Sequence, residues 1–381
     1  MNQHSNRRFV AIFLLTFAIP TLFVALVNWI IDPFDFYRSP TLQSVNAVKV
    51  SLSTQQRLYR SLEMVRQNVD VFFLGSSRVM AGIDPEDFNL LTGKKAYNAG
   101  FAGASMEEIY HYFEHLLYHQ PNLKTVIVGL DLFGFGKNKK PGVDFSLERL
   151  QSGVFSLKSS LSLLFSKSAL KSSYETWKEN RSEQATPFFL ANGLYNHPPV
   201  PSKPSGMRLQ ENFEFLEVLF SSTDVYRYYR LDQEKINCFQ KLVQRCQEKG
   251  IELRVFISPT QAIYWEALYR KGLWPVLEEL KRSLSAIYPI WDFSGFNCVT
   301  TSSLEDKQSL YYECSHYKPV VGKMILDKIF NEANAAVDFG YLLTSRTIED
   351  ILKNIRADRK QWINAEPALL EAMQTFYPLH D

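Results

Sequence analysis

The sequence predicts an α/β protein: a doubly wound, mostly parallel sheet of five strands, with an N-terminal transmembrane helix and a helical insertion. Three observations carry this. Residues 9–31 are uncharged. Short apolar runs alternate with amphipathic helical stretches, as β-α-β units require. The run KTVIVGLDLF is continuously apolar, the mark of a strand covered on both faces.

The first element, FVAIFLLTFAIPTLFVALVNWII, is long enough to cross ~30 Å of hydrocarbon. It ends in Asn28, Trp29 and Asp32-Pro33 instead of a small-residue cleavage site, so it reads as an uncleaved anchor. Arg7 and Arg8 precede it, which places the N-terminus in the cytoplasm and everything after Asp32 on the far side, periplasmic or extracellular. Pro20, mid-span, is tolerated in lipid.

Residues 1–32 are thus the cytoplasmic N-terminus and anchor, and 33–69 a juxtamembrane segment, helical over 45–69. An α/β domain follows over 70–330. Its strands are DVFFLG, KKAYNAG, KTVIVGLDLF, IELRVFISP and YPIWDF. Ser105 and Glu108, three apart, predict a capping box on SMEEIYHYFEHLLYHQ. Gly250 ends the helix LDQEKINCFQKLVQRCQEKG, and the next helix is interrupted near Gly272 and Pro275. Residues 136–222 form the insertion, whose Ser/Lys/Leu-rich part suits a helical lid or a membrane-surface helix. Its proline-rich end, NHPPVPSKPSG, forbids regular structure. HYKPVVGKMILDKIF begins another helix, and 331–381 adds C-terminal helices.

A balance of 42 basic against 40 acidic residues argues against a partner bound by phosphate neutralisation, so no nucleic acid is expected. Of the four cysteines, Cys238 and Cys246 sit two turns apart on one helix, too far to bridge. Cys298 and Cys314 either pair or remain buried thiols.

Ligands of doubly wound sheets bind beyond the carboxyl ends of the strands. Three features fall there: Gly75-Ser76-Ser77-Arg78, Asn98-Ala-Gly100-Phe-Ala-Gly103 and Glu313-Cys-Ser-His316. A serine hydroxyl needs a base, and the base an orienting carboxylate. His316 suits the first role and Glu313 the second, with Asp292 as a second-ranked carboxylate. Glycine amides suit a developing oxyanion. Arg78 either binds an anionic polymer or pairs with a carboxylate. Tyr264, Trp265 and Tyr269 suggest a sugar-stacking wall or core packing. A rival motif, His111-Tyr-Phe-Glu114-His115 with His119 continuing the face, spells the helical zinc pattern of inverse zincins.

In this order the three blocks resemble the SGNH (GDSL-like) hydrolases, whose fold is a flavodoxin-like doubly wound sheet. The resemblance makes Ser77 the nucleophile and, with Gly103, an oxyanion-hole donor. It implies a Ser77-His316-Glu313 triad, with Glu313 in place of the usual Asp. Ser76 departs from the family's Asp, and Asp131 stands roughly where block three carries Asn. As an anion, Asp131 suits a structural or acceptor-orienting role. FLGSSRV, GID, WDFSGFN and YYECSHYKPVVGKMI are further similar to membrane-anchored members that modify cell-envelope polymers, including alginate acetylation and teichoic acid D-alanylation proteins.

The resemblance implies a serine-dependent acyltransferase or esterase of the bacterial inner membrane. It would add or remove acyl groups, most simply acetyl, on a periplasmic envelope polysaccharide. No metal or cofactor is implied; a multi-span membrane O-acyltransferase is the implied partner. The alternatives are a catalytically silent binding or scaffold subunit and, more remotely, the zinc protease.

Overall fold

A computed structural model describes residues 3–377 apart from 154, 183–184, 199–205, 306–307 and 332–337. Residues 199–205, most of the stretch expected to be irregular, lie outside the described chain. The chain forms two compact units, residues 1–63 with 144–188 and residues 64–143 with 189–381.

In the first unit, α1 (Gln3–Ile31) contains a 25-residue segment long and apolar enough to cross a membrane, of mean hydropathy 2.6. Its Phe9, Phe13, Phe17, Leu22 and Phe23 side chains are exposed, a surface that water does not favour. A helix leaves its last four carbonyls without partners; here each has a donor. Asp32 N–H reaches the Asn28 carbonyl at 3.0 Å. Ser39 Oγ donates to Trp29 O. Asn46 Nδ2 and Lys49 Nζ reach the Ile30 and Ile31 carbonyls, each at 2.7 Å.

The Ser/Lys/Leu-rich insertion, expected as a lid or a surface helix, forms α7 (Leu157–Leu164) and α8 (Lys167–Glu179) after a short α6 (Leu147–Ser152). Both α7 and α8 pack against the end of α1. Asn28 joins them, donating to Leu164 O at 2.8 Å and accepting from Ser173 Oγ at 2.9 Å.

The helix expected over residues 45–69 is shorter. Asn180 takes both the N–H and the carbonyl of Val48, each at 2.8 Å, and its side chain thereby competes with helix pairing. Only a single 3₁₀ turn, Val50–Ser53, precedes α2 (Gln56–Arg66), whose Arg57 amide is capped by the Asp144 carboxylate at 2.7 Å.

The second unit holds a six-stranded sheet in the order β2-β1-β3-β4-β5-β8. The five expected strands are present and mutually parallel: β1 (Val71–Leu74), β2 (Ala96–Asn98), β3 (Thr125–Leu130), β4 (Glu252–Ile257) and β5 (Ile290–Asp292). A sixth, β8 (Tyr341–Leu343), pairs antiparallel with β5 and corrects the five-stranded expectation. Three residues are too few to show a strand period. A two-stranded hairpin, β6 (Tyr311–Glu313) and β7 (His316–Tyr317), stands apart from the sheet.

Among the helices, α3 (Ser77–Gly82) and α4 (Pro85–Thr92) lie between β1 and β2, and α5 (Met106–His119) precedes β3. The predicted capping box heads α5. α9 (Met207–Ser221) and α10 (Gln233–Lys249) precede β4, and Gly250, left-handed at φ +64°, ends α10. α11 (Ala262–Arg270) and α12 (Trp274–Ile287) are separated at Gly272 as expected. α13 (Pro319–Phe330), α14 (Ile348–Ala365) and α15 (Pro367–Phe376) complete the chain.

Candidate active site

The site begins where β1 meets α3. A Cβ on Gly75 would stand 2.4 Å from Val79 Cγ2 and 2.8 Å from the Gly129 carbonyl, and φ there is +156°. Glycine alone lets β1 turn this close to β3. Ser76 then caps α3, its hydroxyl accepting from the Arg78 amide at 3.2 Å. Ser77 is left as the first helical residue, half-buried, with its amide among the donors that a helix does not use.

The β6–β7 hairpin supplies the other two groups. Its turn, Cys314-Ser315, sets Glu313 across from His316 in register. Glu313 Oε1 bonds His316 Nδ1, Glu313 Oε2 accepts the Ser315 amide at 2.6 Å, and His316 Nε2 lies 2.7 Å from Ser77 Oγ. This arrangement suits the tautomer with hydrogen on Nδ1 and leaves Nε2 as acceptor for the Ser77 hydroxyl. Burial would raise the Glu313 carboxyl; the His316 charge and hydrogen bond, the Ser315 amide and Arg78 together hold it below its ordinary range.

Arg78 fastens the two halves together. It is 2% exposed and donates Nη1 to Asp131 Oδ1 at 2.5 Å. Nε and Nη2 reach the Ser315 carbonyl and hydroxyl, each at 3.1 Å. Burial works against its charge, but the Asp131 carboxylate outweighs this and keeps the guanidinium protonated. The second Asp131 oxygen accepts Ser76 Oγ at 2.5 Å. Asp131 is thus structural, and Arg78 pairs with a carboxylate. The Arg78–Ser315 link was missed in the sequence, where 237 residues separate the partners.

Two further devices hold the geometry. Asn98 Nδ2 reaches the Val79 and Ile83 carbonyls at 2.8 and 2.7 Å, and its Oδ1 takes the Gly100 amide at 2.9 Å. Asn98 therefore clamps the 98–103 loop to α3. Gly103 follows in that loop, left-handed at φ +61°. A Cβ on Gly322 of α13 would fall 1.8 Å from the Gly82 carbonyl at the end of α3. The helix after His316 and the helix after Ser77 meet through these two glycines.

The remaining candidates lie elsewhere. Asp292 does not orient His316: it is fully buried and pairs with Lys281 Nζ at 2.7 Å. Tyr264 and Trp265 form no sugar wall. They are core residues, Tyr264 bonded to the Tyr226 hydroxyl at 2.7 Å and Trp265 Nε1 to Thr260 O at 2.9 Å. Tyr269 stays exposed, with the Arg359 guanidinium 3.3 Å from its ring centre. Cys298 and Cys314 are free thiols, Cys298 exposed and Cys314 buried.

On α5, Glu114 pairs with Arg245 at 3.1 Å, and the His115 ring packs on His119 at 4.5 Å. Burial lowers His111 and His119 below the ordinary histidine range. Among the described residues no group of three or more His, Cys, Asp or Glu side chains could hold a metal, so no third ligand joins the rival motif.

The chain matches no family model and no curated protein. Among solved structures, a Streptococcus pneumonia protein provisionally described as a platelet activating factor is similar over 74% of this chain and 93% of its own. Its identity is 13% and its TM-score 0.35, a likeness that carries no argument about activity. What the coordinates define is a class: an α/β protein with a serine, a histidine and a glutamate joined in sequence at the ends of its strands.

Proposed function

We propose that the chain is a membrane-anchored SGNH-like acyltransferase or esterase acting on an envelope polysaccharide through a Ser77 acyl-enzyme. The observation that carries the reading is the 2.7 Å approach of Ser77 Oγ to His316 Nε2, with Glu313 on the opposite ring nitrogen. The parallel order β2-β1-β3-β4-β5, with the site at the carboxyl ends, supports the flavodoxin-like form of this fold.

In the proposed reaction His316 takes the Ser77 proton as Oγ attacks the acyl carbonyl. The Ser77 and Gly103 amides receive the oxyanion. His316 returns the proton to the departing alkoxide, leaving an acyl-serine. A sugar hydroxyl or water, deprotonated by the same imidazole, then takes the acyl group and frees Ser77. Glu313 stabilises the imidazolium formed in each half-reaction.

The apolar span with Arg7 and Arg8 before it supports an inner-membrane anchor with the α/β domain in the periplasm. A multi-span membrane O-acyltransferase is the proposed acyl source. The second reading, a silent scaffold subunit, is favoured by one observation: Asp131 occupies the place of the third oxyanion donor and is committed to Arg78. A fluorophosphonate separates the two. Labelling of Ser77 that vanishes in Ser77→Ala and slows strongly in His316→Ala supports the enzyme; no labelling of the folded protein leaves the scaffold.

A further inference from the structure

Beside the β6–β7 hairpin lies a second constellation that the acyl-transfer steps leave unused. The segment before the proline-rich stretch runs along α3, with the Tyr195 amide bonded to Met80 O at 2.9 Å. It carries His197 onto Tyr312, the residue before Glu313, with ring centres 3.7 Å apart and planes within 4°. Tyr195 meets the His197 ring at 5.4 Å. All three rings are half-buried.

Two cations flank this stack. Arg208, near the start of α9, donates to the Tyr312 carbonyl at 3.1 Å. Lys318 Nζ stands 5.9 Å from the centre of the Tyr312 ring. Lys318 is also the residue preceding α13, a helix start without a side-chain cap, so the positive end of that helix adds to the lysine charge. Neither cation makes an ion pair among the described residues. Glu305 spends its two oxygens on the Gly206 and Leu209 amides. Burial, and then the nearby Arg208, pull the Lys318 ammonium below its ordinary range. Two like charges held together with no counter-ion among the described residues cost free energy that a bound anion would return.

We infer that Tyr195, His197, Tyr312, Arg208 and Lys318 form an acceptor subsite for an acidic glycan. The rings pack a sugar face, and the two cations receive its carboxylate or phosphate. The subsite deepens the acyl-transfer reading, on which its role as acceptor site rests. It selects an anionic polymer and presents its hydroxyls beside the triad, since Tyr312 directly precedes Glu313 and Lys318 follows His316 by two residues.

The test is direct binding to the full chain in detergent, by calorimetry, with trigalacturonate, its neutral methyl ester and inorganic phosphate as probes. Trigalacturonate should bind at least tenfold more tightly than its ester, which keeps the sugar rings and loses the charge. Arg208→Gln and Lys318→Gln should each weaken it by about tenfold, while the charge-preserving Lys318→Arg keeps most of the affinity. Tyr312→Leu should weaken both oligosaccharides. Competition by inorganic phosphate would identify a phosphorylated glycan as the better fit; no competition, a uronic one. Equal binding of acid and ester, or Gln variants that are folded and bind as the parent does, overturns the subsite. Because binding is read without chemistry, Ser77→Ala should bind trigalacturonate unchanged. A Ser77 that resists fluorophosphonate while the probe still binds removes the enzyme and leaves the subsite standing.

Discussion

Arg78 grips Ser315 twice, through its carbonyl and its hydroxyl, each at 3.1 Å, and so ties the helix of Ser77 to the turn between Glu313 and His316. In the proposed reaction the guanidinium is a positioning group: it touches the turn next to the proposed base, His316. Arg78→Lys keeps the charge beside Asp131 but loses the planar fork. Turnover of p-nitrophenyl acetate should fall by about ten- to hundredfold in kcat with KM little changed. A variant that loses only thermal stability, with parental kcat, would show that the link does not position the base.

The Glu313 carboxyl sits below its ordinary value of 4.5 in the folded chain, against burial, because of His316, the Ser315 amide and Arg78. A depressed acid contributes stability that is complete above its unfolded pKa and is lost as pH falls through the folded one. Melting temperature should therefore drop between about pH 5 and pH 3 more steeply for the parent than for Glu313→Gln. The same variant should lose about 10³–10⁴ in kcat at neutral pH through the wrong tautomer. Parallel melting profiles would refute the stabilising role of the pair.

Gly322 and Gly82 leave no room between α13 and α3. Gly322→Ala must push the two helices apart, at a cost of about 1–3 kcal/mol in urea unfolding. Fluorophosphonate labelling of Ser77 should slow as well, since those helices follow His316 and Ser77. Unaltered labelling in a destabilised variant would mean that the contact serves stability alone.

Lys281 and Asp292 form an ion pair at 1% and 0% side-chain exposure. Lys281→Met strands the carboxylate, and the loss should be about 3–5 kcal/mol at neutral pH. Recovery of most of the loss in the double variant Lys281→Met/Asp292→Asn identifies the stranded charge as the cause. No recovery would point to packing.

The parallel strands were legible because each is a continuous apolar run between helical patterns, and the α5 cap because both partners lie within one turn. The meeting of Ser77, Glu313 and His316 was legible through the order of the three blocks along the chain; their chemistry remains a proposal. Pairings across long stretches were not. Ser76 and Asp131 each depart from the resembling pattern, and only the fold shows that these two residues touch. The late start of α2 goes with Asn180, 132 residues from Val48, and its cap with Asp144, 87 residues from Arg57. For Tyr264 and Trp265 the sequence left a sugar wall and core packing both open, because a helix bearing Tyr, Trp and Glu gives no sign of which faces are covered; the fold buries both.

The exit of α1 has a mechanical meaning. With a dedicated donor on every terminal carbonyl and Asn28 bolted to α7 and α8, the end of this apolar helix is a welded joint. A change in lipid thickness that re-tilts the proposed anchor would swing residues 39–49 and both insertion helices with it, as a lever turns with its shaft.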